Sequence, residues 1–88
     1  MFDLGKVSVS HSAALAIEES SQQPEEFIRR HQSGDWGDVP DETREKNRIA
    51  LERNEALESV YHTTKGDKIL VMTDADRGAT RVSMPLEV

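Results

Sequence analysis

Leu57-Glu58-Ser59-Val60-Tyr61-His62-Thr63, Lys68-Ile69-Leu70-Val71-Met72-Thr73 and Thr80-Arg81-Val82-Ser83-Met84 decide the fold. In the first, Leu57, Ser59, Tyr61 and Thr63 alternate with Glu58, Val60 and His62, which is strand spacing. The second is apolar on both faces and reads as a central strand. In the third, Val82 and Met84 face one way and Arg81 and Ser83 the other. Thr64-Lys65-Gly66-Asp67 suits a hairpin loop between the first two segments. Asp74-Ala75-Asp76-Arg77-Gly78 suits a turn before the third, because aspartate side chains bond nearby backbone amides. Pro85 ends regular pairing. Residues 56–86 therefore predict a three-stranded antiparallel meander.

Upstream the period changes. Lys6-Val7-Ser8-Val9-Ser10 alternates and offers a fourth strand. Ser10 can then cap a helix over 11–21 that sets Ala13, Ala14 and Ile17 on one side. Pro24-Glu25-Glu26 opens a second helix, with Phe27, Ile28 and His31 on a shared face and Ser33-Gly34 as its stop. Gly34-Asp35-Trp36-Gly37-Asp38 is a loop, and Asp38 or Asp41 can cap a third helix that runs to about Arg53. The expected fold is α+β: about three N-terminal helices over one face of a three- to four-stranded antiparallel sheet, as a single domain across residues 1–88.

Composition narrows the function classes. No cysteine is present, so neither a disulfide nor a thiolate ligand or nucleophile is available. The first residues lack a basic segment followed by an apolar run, so no secretory signal is expected. The longest apolar run, Ile69 to Met72, is far too short to span a bilayer. A cytoplasmic protein with no membrane association is the expectation. The net charge of −6 arises wholly between residues 18 and 58, since the remaining acids and bases cancel. That sign disfavours direct binding to nucleic acid, whose phosphates attract Lys and Arg.

Three segments together carry a resemblance: Pro24-Glu25-Glu26-Phe27-Ile28-Arg29-Arg30-His31, Gly34-Asp35-Trp36-Gly37-Asp38, and Ile69-Leu70-Val71-Met72-Thr73-Asp74-Ala75-Asp76-Arg77 with Thr80 after it. Over nearly its whole length the chain resembles a family of small proteins borne on bacterial plasmids, phages and integrated elements, often labelled type I restriction subunits. It departs from the family pattern at Asn54, Leu70 and Gly78. A methyltransferase subunit needs an Asn-Pro-Pro-type tetrapeptide and a cofactor-binding domain, and neither is present. The resemblance implies residence on a mobile genetic element.

No catalytic residue, cofactor site or metal site is assigned. His31, Asp35 and Asp38 have the right types for a metal, but they cross a helix end and a glycine loop without ligand spacing. Asp74-x-Asp76-x-Gly78 lacks the acidic twelfth position of a calcium loop, where Pro85 stands. His62 with Tyr61, or His31 with Arg29 and Arg30, lacks the positioning that acid–base catalysis requires. Trp36 is either an interface anchor among acids or a plug between the second and third helices, with Gly34 and Gly37 admitting the backbone. Large aromatics usually pack, so the core role is preferred.

The candidate interaction surface is Asp35, Trp36, Asp38, Asp41, Glu42 and Glu45; a second is Asp74, Asp76 and Arg77. The leading expectation is a non-enzymatic protein-binding module whose acidic surface meets a basic one, as in an antirestriction or anti-CRISPR protein. The alternatives are a nucleic-acid-binding or nuclease-like module using Lys65, Lys68, Arg77 and Arg81, and a regulatory or antitoxin-like partner that pairs a strand or helix with another chain.

Overall fold

The computed structural model describes residues 2–85. In chain order the elements are β1 (Lys6–Val9), α1 (His11–Glu19), α2 (Pro24–Gln32), α3 (Asp41–Arg53), β2 (Leu57–His62), β3 (Lys68–Thr73) and β4 (Ala79–Ser83). The strands form one sheet in the order β1-β4-β3-β2. The β2–β3 and β3–β4 pairs are antiparallel, as the alternation predicts. The N-terminal strand joins the sheet, but parallel to β4, so the sheet is mixed and the fully antiparallel expectation is corrected. The cause is the connection. β1 reaches β4 only through the helices and the other two strands, and a long route imposes no hairpin reversal. Of the expected 56–86 span, residue 86 lies outside the described residues, and so do residues 87–88 and 1 of the expected 1–88 unit.

Local chemistry sets the helix ends. Ser10 Oγ accepts from Ala13 N at 3.1 Å and starts α1. α2 begins on Pro24, and Glu26 reaches back to the Gln23 amide. It stops where Gly34 takes φ +88° and its amide bonds the His31 carbonyl. α3 begins differently from expectation. Pro40 holds the cap position, no side chain caps the helix, and the Pro40 carbonyl accepts from Thr43 and Arg44. Asp38 and Asp41 leave that role because their carboxylates engage His62 and Arg44. α3 ends at Asn54, whose left-handed φ of 55° takes the place a glycine often fills.

On the helix side of the sheet, Tyr61, Ile69, Val71 and Val82 bury against Ala13, Ala16 and Ile17 of α1 and Phe27 of α2. A second cluster joins Trp36, Val39 and Ala50 to Leu57. Each large side chain in these clusters contributes about 1.5–3 kcal/mol on removal from water. In α3 Asn47 and Ala50 face inward, Ile49 is half-buried and Leu51 is exposed.

A polar chain crosses this interior. His31 is fully buried, its Nδ1 bonded to Ser59 Oγ and its Nε2 to Thr73 Oγ1 at 2.9 Å. Thr73 Oγ1 meets Thr80 Oγ1 at 2.7 Å, and Thr80 donates to the Leu4 carbonyl at 2.7 Å. The proton directions follow from that last bond. Thr80 has spent its only proton, so Thr73 donates to it and must accept from His31 Nε2–H. The network thus places a proton on Nε2, and in the neutral ring Nδ1 accepts from Ser59. Burial, and secondarily the charge of Arg77, pushes the His31 pKa down to about 4.

Candidate functional site

The loop at residues 34–38 leaves α2 and runs along the outer edge of β2. Gly37 pairs in parallel with Val60: Val60 N donates to Trp36 O at 3.1 Å, and Asp38 N donates to Val60 O at 2.7 Å. This approach requires glycine at 37. Its φ is +74°, and a Cβ there would lie 2.1 Å from the Val60 carbonyl oxygen. Gly34 has open space around it, so its expected part in admitting the backbone is corrected to a helix stop.

Asp35 is the loop's staple. Its carboxylate takes a two-pronged bond from Arg30 at 2.7 and 3.3 Å and a bond from Gly37 N at 3.2 Å. Its carbonyl accepts from Tyr61 Oη at 2.6 Å. The Arg30 guanidinium beside it holds the Asp35 carboxyl below its ordinary range. The same guanidinium stands 4.5 Å from the centre of the Tyr61 ring. Burial pushes the Tyr61 phenol up to about 12. Trp36 points inward, stacked on Phe2 at 6.2 Å and edge-on to His31 at 5.5 Å. It is a core residue, as its size favours.

The remaining members of the first candidate surface point to solvent. Asp38 meets His62 at 2.8 Å, Asp41 meets Arg44 at 3.1 Å, and Glu45 meets Arg48 at 2.6 Å. Glu42 has no ion pair among the described residues. These pairs are exposed and contribute little to stability. They lower the local negative charge without cancelling it, since Asp35, Asp38, Asp41, Glu42 and Glu45 stand against Arg30, Arg44 and Arg48. The result is an acidic ridge from the loop into the first turns of α3.

The second candidate surface is dispersed. Asp74 accepts from Arg81 at 2.7 Å, and Asp76 Oδ1 accepts from Gly78 N at 2.8 Å. Arg77, at φ 61°, turns away from both acids. Its guanidinium donates to the carbonyls of Glu55 at 2.7 Å, Asp74 at 3.1 Å, Ala50 at 3.2 Å and Ala75 at 3.3 Å. A cation at these C-terminal carbonyls of α3 satisfies both their hydrogen bonds and the helix dipole. Arg77 is therefore a helix cap supplied from the β3–β4 turn and not an ion-pair partner of the Asp74 or Asp76 side chain.

His31, Asp35 and Asp38 do not converge. Both His31 nitrogens are engaged inside the core, and the two aspartates face outward. Among the described residues no group of three or more His, Asp or Glu could hold a metal. The basic set is also divided: Arg77 serves α3, Arg81 is tied to Asp74, and Lys68 lies about 13 Å along β3 from the Met72 position that Arg81 flanks.

Sequence reading missed Asn47. Its side chain donates to Glu58 O at 2.8 Å and accepts from Glu58 N at 3.3 Å, acting as one more strand residue beside β2. With Trp36 and Asp38 on Val60, it closes that sheet edge. A polar residue three positions before Ala50 on the inward face was the available signal. Among the described residues no helix is long and apolar enough to cross a membrane. No protein-family model, curated protein or solved structure matches the chain.

Proposed function

We propose that the domain is a non-enzymatic interaction module of a mobile genetic element that docks its acidic ridge on a basic surface of another protein in the bacterial cytoplasm. The observation that carries this reading is the fixed backbone beneath the ridge. Arg30, Tyr61 and Val60 hold the loop by side-chain and main-chain bonds, so the backbone that leads into Asp38, Asp41 and Glu42 has little left to order on binding. Preorganised charge speeds encounter with a complementary patch. The resemblance to plasmid- and phage-borne proteins points to a host complex that handles nucleic acid, whose own DNA- or RNA-binding groove supplies the basic surface.

The test is a plating assay. The protein is expressed in strains that carry a type I restriction system or a CRISPR–Cas system, and unmodified or targeted phage is plated. The expected result is raised plating in at least one strain, lost when Asp38, Asp41 and Glu42 are all changed to Lys and kept when Lys65, Lys68 and Arg81 are changed to Glu. Unchanged plating in all strains rejects the host-defence target. The opposite ordering of the two variants supports nucleic-acid binding by the basic set.

A further inference from the structure

The two edges of the sheet are treated differently. The β2 edge is closed by Asn47 and by residues 36–38. At the other edge, Lys6 N donates to Gly78 O and Ser10 N to Val82 O, so the even-numbered residues of β1 turn their backbone groups to β4. The N–H and C=O groups of Val7 and Val9 point outward and meet no partner among the described residues. Lys6, Val7 and Ser8 are exposed, and Val7 is 40% accessible. An edge of this kind is a template for another strand.

We propose that β1 pairs antiparallel with β1 of a second copy, about a two-fold axis at Ser8, to give a continuous eight-stranded sheet. The strand is self-complementary in this register. Val7 opposes Val9 of the other copy and Val9 opposes its Val7, so all four outward backbone groups of each copy pair. Val7 and Val9 lie on the helix side of the sheet, as their partners Thr80 and Val82 do, so each apolar side chain meets another. Ser8 meets Ser8 on the open face. Lys6, the one charged residue of β1, lies across from Ser10 and meets no like charge. A strand of four residues covers less area than a stable dimer needs, so the association is weak, with Kd on the order of 10⁻⁴ M. The net charge of −6 on each copy opposes approach and is screened over about 10 Å at 0.1 M salt. Added salt therefore strengthens this contact, opposite to its effect at the acidic ridge, so each reading can fail alone.

The test uses sedimentation equilibrium and amide exchange on the full chain. At about 1 mM protein, the Val7 and Val9 amides exchange about fivefold more slowly than in dilute solution, the factor that follows from this Kd. In a mixed-label sample the two Ser8 Hα atoms give an intermolecular Overhauser contact. Ser8→Lys and Ser8→Glu are each monomeric and folded, because Ser8 is exposed, and their equimolar mixture dimerises. A chain monomeric throughout, or a dimer unaffected by either Ser8 variant, overturns the proposal. Protection of Val7 and Val9 that arises only with an unrelated partner assigns the edge to that partner's strand and equally overturns it.

Discussion

Acid should unfold this domain through one residue. His31 is neutral in the core, with a pKa of about 4 against 6.5 for an accessible histidine. The unfolded chain binds the proton first, so stability is full above pH 6.5 and falls as pH drops from 6.5 to 4. Two and a half pKa steps correspond to about 3 kcal/mol, a large share of a small domain's stability. Carboxylates complicate the raw curve. Asp35, Glu45 and Asp74 are held low by Arg30, Arg48 and Arg81 respectively, and their stabilisation is lost as they protonate below their ordinary values. His31→Gln isolates the histidine. Glutamine keeps a donor for Thr73 but cannot titrate, so the variant is less stable at pH 7.5 and less sensitive to acid. Urea midpoints for both proteins at several pH values between 7.5 and 4 should converge as pH falls. Parallel curves over that range, or a His31 titration near 6.5 by NMR, would refute both the proton assignment and the burial argument.

Further substitutions probe the locks around the loop and α3. Gly37→Ala should cost several-fold more than Gly34→Ala by chemical denaturation, about 3 kcal/mol or more against about 1, because both have positive φ but only Gly37 faces a carbonyl at 2.1 Å. Arg77→Lys should lose about 1.5–3 kcal/mol, nearly as much as Arg77→Ala, since an ammonium cannot reach carbonyls of both α3 and the β3–β4 turn as the guanidinium fork does. Asn54→Gly should raise the thermal midpoint slightly, by up to about 1 kcal/mol of stability, because the position is left-handed at φ 55°.

Local rules made much of this fold legible. The β2, β3 and β4 faces follow from alternation, and the ends of α1 and α2 follow from Ser10, Pro24 and Gly34. Helical spacing from Phe27 also put His31 on the inward face. What escaped was long-range. The side of the sheet that β1 takes depends on a partner more than seventy positions away, as in Val7↔Thr80. Ser59, Thr73 and Thr80 look like ordinary strand residues until the sheet stacks them under His31. Arg77 sits in a run of acids, and its true partners are backbone carbonyls that no side-chain pattern records.

The most distinctive residues of the chain thus hold the fold: Trp36 and Gly37 seat the loop, Asp35 staples it, and Arg77 caps α3. The contacts proposed above fall to surfaces with plainer sequences. The acidic ridge flanks β2 and the free edge is β1, three inter-strand steps apart at about 4.8 Å each. The two surfaces thus lie at opposite edges of the sheet. A dimer through β1 would place one acidic ridge at each end of an eight-stranded sheet, and a partner complex with two basic grooves could be engaged twice. Avidity of that kind rises with dimerisation and falls with loss of the ridge, so activity in the plating assay should drop for Ser8→Lys alone and recover with the Ser8→Lys and Ser8→Glu pair. Full activity of Ser8→Lys alone would show that the ridge works as a monomer and would separate the two surfaces in function.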